Sequence, residues 1–168
     1  TICRTVLGMP SRLVGQAVGD VFYPRVTEAS HRGEDVSRLI LKATLALAAV
    51  GFLPFAVVVV FGPQLFSFVF GGEWRVAGEY ARWMALWMFM GFINRPSVAA
   101  IATLSIQGFF LIFEFLSIGS RITALAVGFL FFKNDVIAVA LFALVGMLLN
   151  LFLISATLFR AKSLRGAE

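Results

Sequence analysis

Along the chain, long apolar stretches alternate with shorter polar ones. Four of these stretches, residues 43–61, 83–104, 109–132 and 136–159, stand out. A helix rising ~1.5 Å per residue needs about 20 residues to cross a hydrocarbon core of about 30 Å, and each run is of that order. The first carries no charge, the second only Arg95, the third Glu114 and Arg121, and the fourth no charge and one amide, Asn150. Four spanning helices are predicted. A fifth segment, 2–24, is interrupted by Arg4, Arg12 and Asp20, and Gly8, Pro10, Gly15 and Gly19 lower its helix propensity. Gly15 and Gly19 nonetheless repeat the small-xxx-small spacing that lets backbones approach closely inside a membrane bundle. The segment therefore reads as a buried spanning helix with Arg12, Gln16 and Asp20 on one face, with a re-entrant or interfacial helix as the alternative. The expected fold is all-α, a polytopic transmembrane bundle of about five spanning helices.

Between these runs, residues 25–42 mix charges with Ser, Thr and Gly and read as a water-exposed loop. Residues 62–82 form the other long connection, in which Trp74 and Tyr80, with Trp83, suit an interfacial aromatic belt. Residues 105–108 and 133–135 are expected as tight turns, and 160–168 as a polar tail. Lys and Arg counts set the orientation. Arg25, Arg32, Arg38, Lys42, Arg160, Lys162 and Arg165 fall on one side, and Arg4, Arg75, Arg82 and Lys133 on the other. The richer side, with the 25–42 loop and the tail, is expected to face the cytoplasm.

Composition supports this picture. Of 168 residues, 60% are hydrophobic and only 14% charged, against roughly a quarter charged in an ordinary soluble domain. With a mean hydropathy of +0.94, a disordered chain, a collagen and a nucleic-acid-binding tail are excluded. The net charge of +5 is dispersed rather than massed, so it reads as membrane-orienting charge and no nucleic-acid partner is expected. Cys3 is the single cysteine, which excludes an intramolecular disulfide and a CxxC metal knuckle. The chain begins at Thr1 without a leader pattern and is expected to be part of a longer protein, with more of it upstream.

The charged residues inside the apolar runs carry most of the functional information. Arg95 and Arg121 would lie near the bilayer midplane, where an arginine costs on the order of 3 kcal/mol even on a lenient insertion scale, so neither is expected to face lipid. Gln107, Glu114, Ser117 and Arg121 fall on one face of their helix. Two turns, roughly 10 Å, separate Glu114 from Arg121, and a tight pair between them is not expected. Guanidinium groups are permanently protonated forks that suit phosphate or carboxylate. One interpretation is an anionic headgroup site at Arg95 and Arg121, with Arg12. The other is mutual neutralisation, with Asp20 and Glu114 cancelling the arginines. Pro96, directly after Arg95, and Pro54 each remove a helical hydrogen bond and are candidate hinges, and the Asn94-Arg95-Pro96 run is the expected break. Met84, Met88 and Met90 with Trp83 and Trp87 read as apolar packing. His31 reads as a solvated loop residue. No metal cluster, cofactor motif, nucleophile elbow or Walker loop is present, and no loop is long enough for a catalytic domain, so no metal, no cofactor and no enzyme activity is expected.

The run FGGEWRVAGEYA, from Phe70 to Ala81, resembles the "lfG-x-x-W-x-x-A-G-x-y" stretch of the polysaccharide-biosynthesis/oligosaccharide flippase family, within the multidrug/oligosaccharidyl-lipid/polysaccharide exporter superfamily. Leu13-Val14-Gly15-Gln16-Ala17, followed by Val21-Phe22-Tyr23-Pro24-Arg25-Val26, is similar to that family's helix ending in an aromatic-Pro pair before a cytoplasmic loop. The resemblance implies a two-lobed exporter of about twelve helices around a central cavity, of which this chain is the C-terminal portion and the N-terminal half is missing. It implies translocation of undecaprenyl-diphosphate-linked oligosaccharide, an anionic lipid-linked partner, across the bacterial inner membrane for lipopolysaccharide, capsule or exopolysaccharide assembly. It assigns no role to Arg95 or Arg121. Three other functions are weighed beside it. A drug or small-solute antiporter would place unpaired carboxylates in its cavity, and Glu114 and Asp20 keep that open. A membrane glycan polymerase or ligase would need a large loop bearing Arg and His. A non-transporting assembly protein would tolerate neutral substitution of the midplane arginines.

Overall fold

The computed structural model describes residues 24–29, 32 and 35–165. All of the candidate 2–24 helix except its last residue lies outside them, and with it Arg12, Gln16 and Asp20; His31 and residues 166–168 also lie outside. Among the described residues there is no strand and 91% are helical, as the all-α expectation requires. Residues 24–29 are helical (α1). They are followed by α2 (Val36–Phe70), a 3-10 turn (Gly72–Trp74), α3 (Arg75–Ile93), α4 (Arg95–Ala100), α5 (Gln107–Phe132) and α6 (Asp135–Arg165). Three helices are long and apolar enough to cross a membrane, those at Val36–Phe70, Gln107–Phe132 and Asp135–Ser163.

The expected runs at 109–132 and 136–159 coincide with α5 and most of α6, but the polar connections are more helical than expected. Residues 36–42 are the first two turns of α2, capped by Asp35, whose carboxylate accepts from the backbone N–H of Arg38 at 3.1 Å. Their charges, Arg38 and Lys42, are exposed, while Ile40 is fully buried and Leu39 packs beside it. A polar-rich stretch becomes helical when its apolar positions recur every three or four residues and find a core. The same holds for 160–165: Arg160 and Lys162 are exposed, and Ala161 is buried in the same cluster.

The connection expected at 62–82 is likewise helix, turn and helix. α2 continues to Phe70, α3 starts at Arg75, and Trp74 in the short turn meets the Phe70 ring in a tilted contact at 5.6 Å. At 35 residues, α2 is about 50 Å long and overshoots a hydrocarbon core at one or both ends.

The third expected run, 83–104, is not one helix. α3 begins earlier and ends at Ile93, and α4 restarts at Arg95 with Pro96 in its first turn. Pro96 has no N–H to give to the carbonyl of Phe92 and its ring crowds that turn, so the interruption falls where the sequence placed a break. α2, in contrast, passes through Pro54 and Pro63 without interruption. α3 also carries Glu79 and Arg82, which lowers its hydropathy, and it is not among the three apolar spans.

α3 packs against both α2 and α6, and α5 lies against α6. α2 and α3 approach to backbone contact at Gly62 and Gly78, where a Cβ on Gly78 would lie 2.5 Å from Pro63 Cα and 2.6 Å from the Gly62 carbonyl oxygen. Beside that contact the Arg82 guanidinium crosses to α2 and donates to the Val60 carbonyl at 3.2 Å. At one end of the bundle Val26, Ile40, Ala100, Leu104 and Ala161 form a cluster that joins α1, α2, α4 and α6. The basic residues of 36–42 and 160–162 therefore share one end of the molecule.

Candidate functional site

The break between α3 and α4 opens into a cavity of about 610 Å³ walled by α2, α3, α4, α5 and α6. Its surface is mostly apolar, with Pro54 and Phe55 from α2, Trp87 and Met88 from α3, Phe110 and Phe113 from α5 and Leu149 and Leu153 from α6. Three charged groups interrupt it: Arg95, Glu114 and Arg121. Five of the residues singled out from sequence, Pro54, Arg95, Glu114, Ser117 and Arg121, are thus brought to one place. Pro96 is buried at the start of α4 outside the lining. Gln107, on the same helical face as Glu114, lies instead at the start of α5, where it donates to the Ala102 carbonyl at 3.3 Å.

The two arginines are held differently. Arg121 is seated on several sides: its Nε donates to the Ser117 carbonyl at 3.1 Å, and its guanidinium lies 5.4 Å from the Trp87 ring centre and 6.0 Å from that of Phe142. Such ring contacts attract a guanidinium through the negative face of the π system. Trp87 and Phe142 meet edge to face at 5.3 Å. Trp87 fits there because residue 146 has no side chain, since a Cβ on Gly146 would come within 2.5 Å of the indole Cδ1.

Arg121 Nη2 also reaches Glu114 Oε1 at 3.6 Å, a loose contact across the two turns over which no tight pair was expected. A long helical side chain leans toward the helix N-terminus and covers much of that distance. The contact is still longer than the 2.7–2.9 Å of a charge-assisted hydrogen bond. It is also lopsided, because the Arg121 side chain is 15% exposed and that of Glu114 47%. Arg95 is exposed on the cavity wall and has no hydrogen-bond, ion-pair or ring partner among the described residues. The lining therefore carries an excess of one positive charge.

An amide clasp, not recognised from the sequence, closes the wall at the break. Asn94 is 2% exposed and its Nδ2 donates to Asn150 Oδ1 at 2.8 Å, while Asn150 Nδ2 donates to the Gly146 carbonyl at 2.8 Å. Asn94 Oδ1 and Ser97 Oγ, both buried, accept from no described residue. The signal was available: Asn94 is the one amide in the 83–104 run and Asn150 the one amide in 136–159, and a buried amide requires a partner.

A cavity of this size falls in the range of small-molecule sites. With apolar walls, one unpartnered guanidinium and a second one loosely partnered, it suits an amphiphile with an anionic head. Among the described residues no group of His, Cys, Asp and Glu is arranged to hold a metal ion. No protein-family model, curated protein or solved structure matches the chain.

Proposed function

We propose that this chain is part of a membrane transporter, a flippase that moves undecaprenyl-diphosphate-linked oligosaccharide across the bacterial inner membrane for lipopolysaccharide, capsule or exopolysaccharide assembly. One observation carries the proposal: Arg95, a permanent cation beside a helix break, faces an apolar-walled cavity without a carboxylate partner among the described residues. An unpaired guanidinium inside a membrane bundle favours an anionic guest, and a diphosphate offers it matched oxygen pairs. The apolar walls accommodate the first part of a prenyl chain. The FGGEWRVAGEYA resemblance supplies the substrate's identity, together with the two-lobed arrangement of about twelve helices to which these helices would contribute.

The competing functions are less well supported. A drug or small-solute antiporter would place unpaired carboxylates in the cavity; Glu114 faces Arg121 instead, and Asp20 lies outside the described residues. A purely structural bundle would neutralise its midplane arginines, and Arg95 has no carboxylate partner among the described residues. The test is Arg95→Ala in cells that depend on the protein for surface glycan. The expected outcome is at least a tenfold loss of glycan at unchanged membrane levels of the protein, the loss of one charge-assisted contact to the transported group being worth about 1.5–3 kcal/mol. Normal glycan output would remove Arg95 from the mechanism.

A further inference from the structure

Resting on the proposed anion site, we infer that Glu114 is an internal stand-in for the ligand's negative charge, occupying Arg121 while the cavity is empty and displaced from it when an anionic headgroup arrives. The two partners are held unequally. Arg121 is anchored independently of Glu114, by the Ser117 carbonyl at 3.1 Å and by the faces of Trp87 and Phe142, so its guanidinium stays in place when Glu114 leaves. Glu114 has no hydrogen bond or ion pair other than that to Arg121 among the described residues, and it is the more exposed partner. Its 3.6 Å separation leaves the pair without the short bond that would make it hard to break. The cavity that an anion would enter is lined by both residues and by Arg95, so the entering charge and the Glu114 carboxylate compete for one cation. Like charges at such a distance repel, and the incoming anion drives Glu114 toward solvent.

Glu114 thus weakens ligand binding, and in doing so it keeps the empty cavity from holding an unbalanced second cation and eases release of the cargo. It differs in this from a residue that contacts the ligand favourably.

The test uses the purified protein in nanodiscs with farnesyl diphosphate as probe, its affinity followed by calorimetry and by the fluorescence of Trp87 against variants of the other tryptophans. Glu114→Gln, which keeps shape and removes charge at a partly exposed position, is expected to bind the probe about twofold to fivefold tighter, the size of effect that a partly exposed ion pair exerts. The gain is expected to vanish when Arg121→Ala is added, because no cation then remains to be freed. Equal or weaker binding by Glu114→Gln overturns the inference, as does a gain that persists without Arg121. If the probe binds neither the wild type nor Glu114→Gln, the anion site itself fails and this inference with it. If the wild type binds and Glu114→Gln shows no gain, only the counter-ion role is lost. Thermal unfolding of each variant separates these outcomes from misfolding, and Glu114→Asp, which retains the charge, is expected to bind within twofold of the wild type.

Discussion

At the scale of single residues, the cavity depends on polar groups whose positions are set by neighbours far away in sequence. Arg121 is the clearest case: a side chain on α5 rests on Trp87 from α3 and Phe142 from α6. Replacing it with Lys keeps the charge but loses the planar stacking surface and the fixed Nε donor. Arg121→Lys is expected to lower stability by about 0.5–2 kcal/mol, read as a fall in the thermal midpoint of the purified protein; an unchanged midpoint would show that the ring contacts carry no weight. The Asn94–Asn150 bond makes a stronger demand. Asn150→Leu fills similar volume but leaves the buried Asn94 amide unpaired, at an expected cost of about 1–3 kcal/mol in the same measurement. The sequence made Arg95, Glu114, Ser117 and Arg121 recognisable because polar groups in apolar runs are costly. Trp87 and Phe142 were hidden, since an aromatic residue in such a run is ordinary packing until a cation from another helix is placed on it.

At the scale of elements, the apolar cores of α5 and α6 were legible from hydropathy alone, whereas the helix ends were not. Residues 36–42 and 160–165 read as loop and tail because their charges are frequent; their helicity depends on Ile40 and Ala161 finding a shared cluster, a tertiary fact that local composition does not contain. The break at Asn94 was legible because a proline acts locally, through its missing N–H. The approach of α2 to α3 was not, although the glycines that permit it were visible. At Gly78 an added methyl meets the backbone of Gly62 and Pro63, which cannot swing away as a flexible side chain can. Gly78→Ala is therefore expected to destabilise the α2–α3 hairpin by about 1–3 kcal/mol. Gly119→Ala, where a Cβ meets nothing within 4 Å, serves as the control with no loss. Equal midpoints for the two variants would contradict the close packing of α2 on α3.

At the scale of the whole molecule, the outward surface is what a bilayer requires. Phe115 and Phe131 on α5 are 77% and 80% exposed, a state that is costly in water and neutral in lipid. The end cluster places Arg38, Lys42, Arg160 and Lys162 at one end, as the loop charges led one to expect. That grouping gives a topological prediction. With Cys3 replaced by Ser, single cysteines introduced at Arg38 and at Lys162 are expected to react with an impermeant maleimide from the same face of the membrane, the cytoplasmic one. Labelling from opposite faces would contradict the shared end, and labelling of both from the outside would invert the orientation.

The central claim is that Arg95, without a carboxylate partner among the described residues, makes the cavity a site for anionic headgroups. Direct titration of the purified protein in nanodiscs with farnesyl diphosphate, wild type beside Arg95→Ala and Arg95→Lys, tests it with least intervening biology. The account predicts saturable binding by the wild type, at least a tenfold loss for Arg95→Ala and a smaller loss for Arg95→Lys, which keeps the charge without the fork. Equal affinity across the three proteins would contradict it.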